Sequence, residues 1–97
     1  MFDTCGYQRF TADAVLKASG TPVAVYGLDI DSKASGAGKV ILYDGTSATG
    51  TKLISATGVS DDDLSVDLGK GRVFSSGCFV DIDTNCDAVV VWYKALT

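Results

Sequence analysis

The residues best suited to chemistry form an alternating run of oxygen ligands, Asp81-Ile82-Asp83-Thr84-Asn85-Cys86-Asp87. This spacing resembles the start of a calcium loop, where every second residue supplies an oxygen. Such a loop needs Gly at its sixth position and a bidentate Glu at its twelfth, and here these are Cys86 and Trp92. The calcium-loop reading therefore fails. A D-x-D phosphatase would use the same carboxylate pair, but on a larger parallel α/β scaffold than this chain supplies. Gly36-Ala37-Gly38-Lys39 invites a phosphate-loop reading, yet the position five before the second Gly is Lys33 and the residue after the Lys is Val40. The segment that follows reads as a strand, not the helix whose N-terminus would hold phosphate. A flexible hairpin loop fits better.

A second carboxylate pattern occurs twice: apolar-Asp-Ile-Asp-Ser/Thr at Leu28–Ser32 and at Val80–Thr84. On strands, alternation sets Asp29 with Asp31, and Asp81 with Asp83, on the face away from the core. If the two strands were neighbours, four carboxylates would converge, to bind Ca²⁺ or to repel one another. The plainer reading is an outward face kept polar against edge-to-edge association. Asp61-Asp62-Asp63 reads as a solvated loop. Lys39, Lys52 and Arg72 each open a strand after a small-residue turn, a position that guards apolar strands against aggregation.

The 97 residues contain no His, which excludes Ser-His-Asp and Cys-His nucleophilic sites and His-ligated zinc or haem. Net charge is −4, all twelve acids being Asp. With the eight Lys and Arg scattered, nucleic acid and anionic membrane are poor partners. The three cysteines, Cys5, Cys78 and Cys86, are an odd set without C-x-x-C, which reads as buried thiols made in a reducing cytosol. Neither a basic-apolar leader nor an apolar run of membrane-spanning length is present, so a soluble protein is expected. No enzyme activity and no cofactor are expected.

The elements that must position these residues are strands. Gly, Val, Thr and Ser abound and strong helix formers are scarce. Residues through Thr11 read as an extended arm or an edge strand. Thr11–Ser19 fits a short helix capped by Thr11 or a strand, and the strand is preferred because everything after it is β. Strands are then expected at Val23–Asp31, Lys39–Tyr43, Thr51–Ala56, Leu64–Leu68, Arg72–Ser75, Cys78–Asp83 and Cys86–Ala95. Gly69-Lys70-Gly71 is expected to turn the chain, and Thr84-Asn85 to close a hairpin that sets Asp83 against Cys86 and Cys78 near Val91. Seven or eight strands at this spacing predict an all-β domain, an antiparallel β-sandwich or jelly-roll-like barrel, with residues 1–10 as a short N-terminal arm and 11–97 as the sandwich. The expected core is Leu16, Val23 or Ala24, Tyr26, Leu28, Ile30, Val40, Leu42, Leu53, Leu64, Val66, Leu68, Phe74, Val80, Ile82, Val90 and Trp92.

The arm carries three aromatics, Phe2, Tyr7 and Phe10. They either cover an open end of the sandwich or dock on a partner, where aromatics and Arg supply anchoring energy. Phe2, Tyr7, Arg9 and Phe10 are therefore the candidate partner-binding residues.

Val25-Tyr26-Gly27-Leu28, the run Val40-Ile41-Leu42-Tyr43-Asp44-Gly45-Thr46-Ser47-Ala48-Thr49-Gly50-Thr51-Lys52-Leu53-Ile54, and Gly77-Cys78-Phe79-Val80-Asp81 resemble small β-sandwich structural proteins of tailed bacteriophage virions. The resemblance covers about residues 11–95 and rests on turn chemistry. It implies a capsid decoration (cement) protein on the outer surface of the major capsid shell, or a neck or tail accessory. The implied partners are the major capsid protein or another virion protein, and copies of the chain itself as a dimer, a trimer or a multi-copy array. The implied location is the virion, after synthesis in the host cytoplasm. The alternative is a host-recognition or carbohydrate-binding module, with Tyr43, Tyr93 and Phe79 stacking on sugars beside Asp residues.

Overall fold

The structure is a computed structural model that describes residues 6–16 and 21–96. It is all-β, with two antiparallel four-stranded sheets packed as a sandwich and no helix among the described residues. The strands are β1 (Gly6–Phe10), β2 (Ala14–Val15), β3 (Val23–Ser32), β4 (Lys39–Asp44), β5 (Thr51–Thr57), β6 (Asp63–Phe74), β7 (Cys78–Ile82) and β8 (Cys86–Ala95). One sheet has the order β1-β8-β3-β6, here the front sheet. The other, the back sheet, has the order β2-β7-β4-β5. The chain changes sheet at every connection except the β4–β5 hairpin. The shortest dimension, 18 Å, fits two layers about 10 Å apart with their outward side chains.

In the back sheet β4 and β7 follow simple alternation, while β5 carries one extra residue, Leu53, against β4. Val40 and Leu42 of β4, and Cys78 and Val80 of β7, are fully buried, while Ile41, Tyr43, Phe79 and Asp81 point outward. The front sheet breaks its own period. Tyr26 is an extra residue of β3 against β8, since Val25 faces Tyr93 and Gly27 faces Trp92. Such a bulge reverses which side chains point inward. Val23 and Val25 are buried before it, and Leu28 and Ile30 after it. Tyr26, expected inside, is half-buried, and Val25, expected outside, is in the core.

Direct pairing with β3, Leu28 facing Val91 and Ile30 facing Val89, sets the phase of β8, and a second shift follows between Asp31 and Ser32. Val89 and Val91 are buried against the core, and Val90 and Trp92 are on the outer face, the reverse of the expectation. An unbroken apolar run carries no phase of its own. Leu16, Val40, Leu42, Phe74 and Val80 are buried as expected, and Leu53, Val66, Leu68 and Ile82 pack partly against them. Phe10, Cys78 and Cys86 join the core as well.

Two expected turns are corrected. Gly69-Lys70-Gly71 does not end a strand. It is an excursion within β6, whose two halves both pair with β3, Asp67 facing Gly27 and Arg72 facing Val25. Gly69 and Gly71 have φ of 61° and 98°, which only glycine takes without strain. A Cβ on Gly71 would also lie 2.9 Å from the Tyr26 ring. The Thr84-Asn85 turn is tight, with Asn85 N–H donating to Asp83 Oδ1 at 2.9 Å, but it carries the chain from the back sheet to the front one. β7 and β8 do not pair, and Cys78 does not face Val91.

The region expected as an arm takes its edge-strand form. Gly6–Phe10 pair in register with Tyr93–Val89, so these residues belong to the sandwich. Of the expected strand Thr11–Ser19, Ala14–Val15 form a strand among the described residues, and Lys17–Ser19 lie outside them.

Candidate functional site

The outer face of the front sheet gathers polar and aromatic side chains from all four of its strands. Cross-strand register aligns Tyr7 with Trp92, Trp92 with Gly27, and Gly27 with Asp67. One step along, Arg9, Val90, Asp29 and Ser65 line up in the same way. The third row holds Ala88, Asp31 and Asp63. The Tyr26 bulge is what turns Gly27, Asp29 and Asp31 outward together.

In the first row, the Tyr7 and Trp92 rings stand 5.1 Å apart between centroids and are tilted by 48°. Tyr7 is 65% exposed and Trp92 half-buried. Gly27 contributes no side chain, so a cleft of about 330 Å³ opens between Trp92 on one side and Ser65 and Asp67 on the other. Asp29 closes one end. Its Oδ1 accepts the Ser65 hydroxyl at 2.7 Å, and its Oδ2 accepts a long bond, 3.4 Å, from Trp92 Nε1. Asp67 Oδ1 accepts the Gly69 N–H at 2.8 Å. Both carboxylates are thus held by donors of the protein.

The third row forms a smaller depression of about 230 Å³. Here a hydrogen bond to Asp63 raises the Asp31 pKa, and the Asp63 charge adds to it against the pull of Arg9. A shared proton relieves repulsion between two carboxylates.

The outer face of the back sheet is different. Tyr43 and Phe79 pair at 6.3 Å, tilted by 49°. Partial burial, with the charge of Asp13, raises the Asp81 pKa, and Asp13 Oδ1 accepts the Ile82 N–H at 2.9 Å.

The candidate residues from sequence separate in space. Tyr7 and Arg9 are exposed on the front face. Phe10 is 3% exposed and part of the core, so it is unable to dock on a partner. Its parity on β1 sends it inward opposite Val89. Phe2 lies outside the described residues. The two Asp-Ile-Asp segments sit in different sheets, β3 and β7, so their four carboxylates do not converge. Among the described residues no cluster of three His, Cys, Asp or Glu has metal-binding geometry. Of the proposed sugar-stacking aromatics, Tyr93 packs against the core and Tyr43 with Phe79 make a mutual pair. Trp92, Asp29, Ser65 and Asp67 were not legible as a group. The one signal was Gly27 inside an apolar strand, which marks a bulge or an open spot on the sheet.

Cys78 and Cys86 are free thiols inside the sandwich. Burial, with the charge of Asp44, pushes Cys78 up to about 12. Burial also raises Cys86, with Asp83 adding to it. Neither is a ready thiolate at neutral pH. Cys5 lies outside the described residues.

The fold and its faces define a β-sandwich domain with surface clefts. No protein-family model matches the chain and no curated protein matches its sequence. Among solved structures it is similar to a chain from the disulfide-linked pili of Bacillus endospore appendages, with a TM-score of 0.51 and 12% identity. The match covers 96% of this chain and 86% of that one. At that identity the likeness is one of fold.

Proposed function

We propose that this chain is a non-enzymatic structural protein used in many copies on a particle surface. In its specific form it is a decoration protein on the outer surface of a tailed bacteriophage capsid. The observation that carries the reading is the form of β1. It is the edge strand of the front sheet, and it presents Tyr7 and Arg9 outward. An edge strand offers backbone donors and acceptors to a neighbouring chain, and an exposed Tyr and Arg are the residue types that anchor interfaces. Repetition over a symmetric shell multiplies individually weak contacts. The shared fold with a chain of an assembled pilus supports a multi-copy role.

That pilus is disulfide-linked. Here Cys78 and Cys86 are buried, so neither presents an exposed thiol for such a link.

The test is quantitative mass spectrometry of purified phage particles, followed by localisation of the chain on the intact particle. Copies on the order of tens to hundreds, spread over the shell, are expected. A few copies at one vertex would move the assignment to the neck or tail. Absence from particles, with abundance in the infected lysate, would overturn it.

A further inference from the structure

We infer that the cleft beside Trp92 on the front sheet is a binding site for a neutral saccharide. This does not depend on the decoration reading and adds a binding activity to it.

Three features of the cleft fit one ligand class. The first is an aromatic wall. Trp92 is turned outward and flanked by Tyr7 at 5.1 Å between ring centroids. An indole face offers a flat, electron-rich surface to the C–H groups of a pyranose ring. The second is a floor without a side chain. Gly27, itself buried, stands between Trp92 and Asp67 in register, and its missing side chain leaves the depression that the ligand would enter. The third is a set of polar groups on the remaining sides: Asp29, Ser65 and Asp67. Carboxylates and a hydroxyl are suited to the vicinal hydroxyls of a sugar, which both donate and accept.

The bonding within the cleft suits hydroxyl donors and disfavours anions. Asp29 already accepts from the Ser65 hydroxyl and from Trp92 Nε1, and Asp67 accepts from the Gly69 N–H. These bonds fix the carboxylates in place and leave acceptor capacity for hydroxyl donors. Sugars bearing carboxylate or sulfate groups would meet repulsion from Asp29 and Asp67. The cleft, about 330 Å³, is at the small end of the range for small-molecule sites, roughly 300–1,000 Å³. It is open along the sheet, so it suits one ring of an oligosaccharide better than an isolated monosaccharide.

The chain contains one tryptophan, and it is the wall of the site. Its emission therefore reports occupancy directly. The full chain is titrated with cellotetraose, maltotetraose, mannotetraose and chitotetraose, followed by Trp92 fluorescence and by calorimetry. At least one sugar is expected to give a saturable change at micromolar to millimolar concentration, insensitive to salt. Asp29→Asn, which preserves shape, is expected to weaken it about tenfold. Gly27→Val, which fills the floor with a strand-favouring side chain, is expected to remove it with the β circular dichroism spectrum retained. If Gly27→Val does not fold, the isosteric Asp29→Asn carries the test. No saturable change with any of the four sugars, or binding unaltered by Asp29→Asn, overturns the site. A response only to basic peptides, abolished by salt, would make the face a protein-docking surface and equally overturn it.

Discussion

The two sheets use the same number of strands and similar residues, yet present different outer surfaces. In the back sheet, Ile41, Tyr43, Phe79 and Asp81 follow an unbroken alternation over β4 and β7, and Tyr43 packs directly on Phe79. In the front sheet, shifts at Tyr26 and near Ser32, with a glycine at the centre of β3, leave the rows uneven. A regular ladder brings cross-strand pairs flush and closes its surface. A bulge re-aims side chains, and an interior glycine leaves a gap beside them. The Trp92 cleft lies beside the Tyr26 bulge of β3.

The front sheet's irregularity is anchored by residues on its inner side, so the largest effect is expected there. Phe74→Ala should cost about 3–5 kcal/mol, because Phe74 is fully buried at the end of β6, beyond the glycine excursion. Phe79→Ala, on the flat face of the back sheet, should cost about 1 kcal/mol. Urea unfolding of both variants measures the difference. A Phe74 effect no larger than that of Phe79 would mean that β6 beyond Gly71 is not integral to the sheet.

Gly71→Ala should cost about 1–3 kcal/mol through its positive φ and the nearby Tyr26 ring. Ser55→Ala, exposed on the back-sheet edge, should stay within about 0.5 kcal/mol. Equal melting temperatures for the two variants would remove the bulge from the account of the front sheet. Ser32→Ala is expected to fall in a similar range to Gly71→Ala, about 1–3 kcal/mol. The buried Ser32 hydroxyl accepts the Gly38 N–H at 2.9 Å, and the substitution leaves that donor unpaired.

A smaller effect concerns pH, and both faces contribute. Asp31 on the front and Asp81 on the back have pKa values raised above 3.8. Each binds its proton more tightly folded than unfolded. The stabilisation is therefore full below the unfolded value and is lost as pH rises through the folded one. Melting temperature measured from about pH 4 to about pH 7 should carry a falling component from these two groups. Asp31→Asn and Asp81→Asn should each flatten it and raise stability at neutral pH. If neither does, the paired carboxylates are not coupled.

The smallest expected signal is from the thiols. In a Cys5→Ser variant at neutral pH, a thiol reagent should find almost no fast-reacting group until urea is added, since Cys78 and Cys86 are buried. Rapid native labelling would show that the sandwich opens readily.

The fold class and the β4–β5 hairpin were legible because the apolar run Val40-Ile41-Leu42 and its partner Leu53-Ile54 flank an unmistakable polar turn after Tyr43. The phase of β3 was right from Leu28 onward and wrong before Tyr26, because one inserted residue reverses parity without changing composition. The phase of β8 was unreadable, since Ala88–Trp92 is apolar throughout and its inward set is chosen by pairing with β1 and β3. Thr84-Asn85 has the chemistry of a hairpin turn, but short turns also bridge the two layers of a sandwich. The cleft was hidden for a related reason. Its residues, 27–29, 65–67 and 92, meet only through the order β8-β3-β6.

The alternation of the chain between layers has a kinetic consequence. Neither half of the polypeptide owns a sheet: the front one takes strands from both ends and the middle, and so does the back one. No layer is complete until β7 and β8, the last two strands, have been added. Non-local pairing of this kind places refolding in the slow range for small domains, of order milliseconds to seconds. On the ribosome, the β4–β5 hairpin can form early, whereas β1 and the outer edge of β3 stay unpaired until β8 has been made.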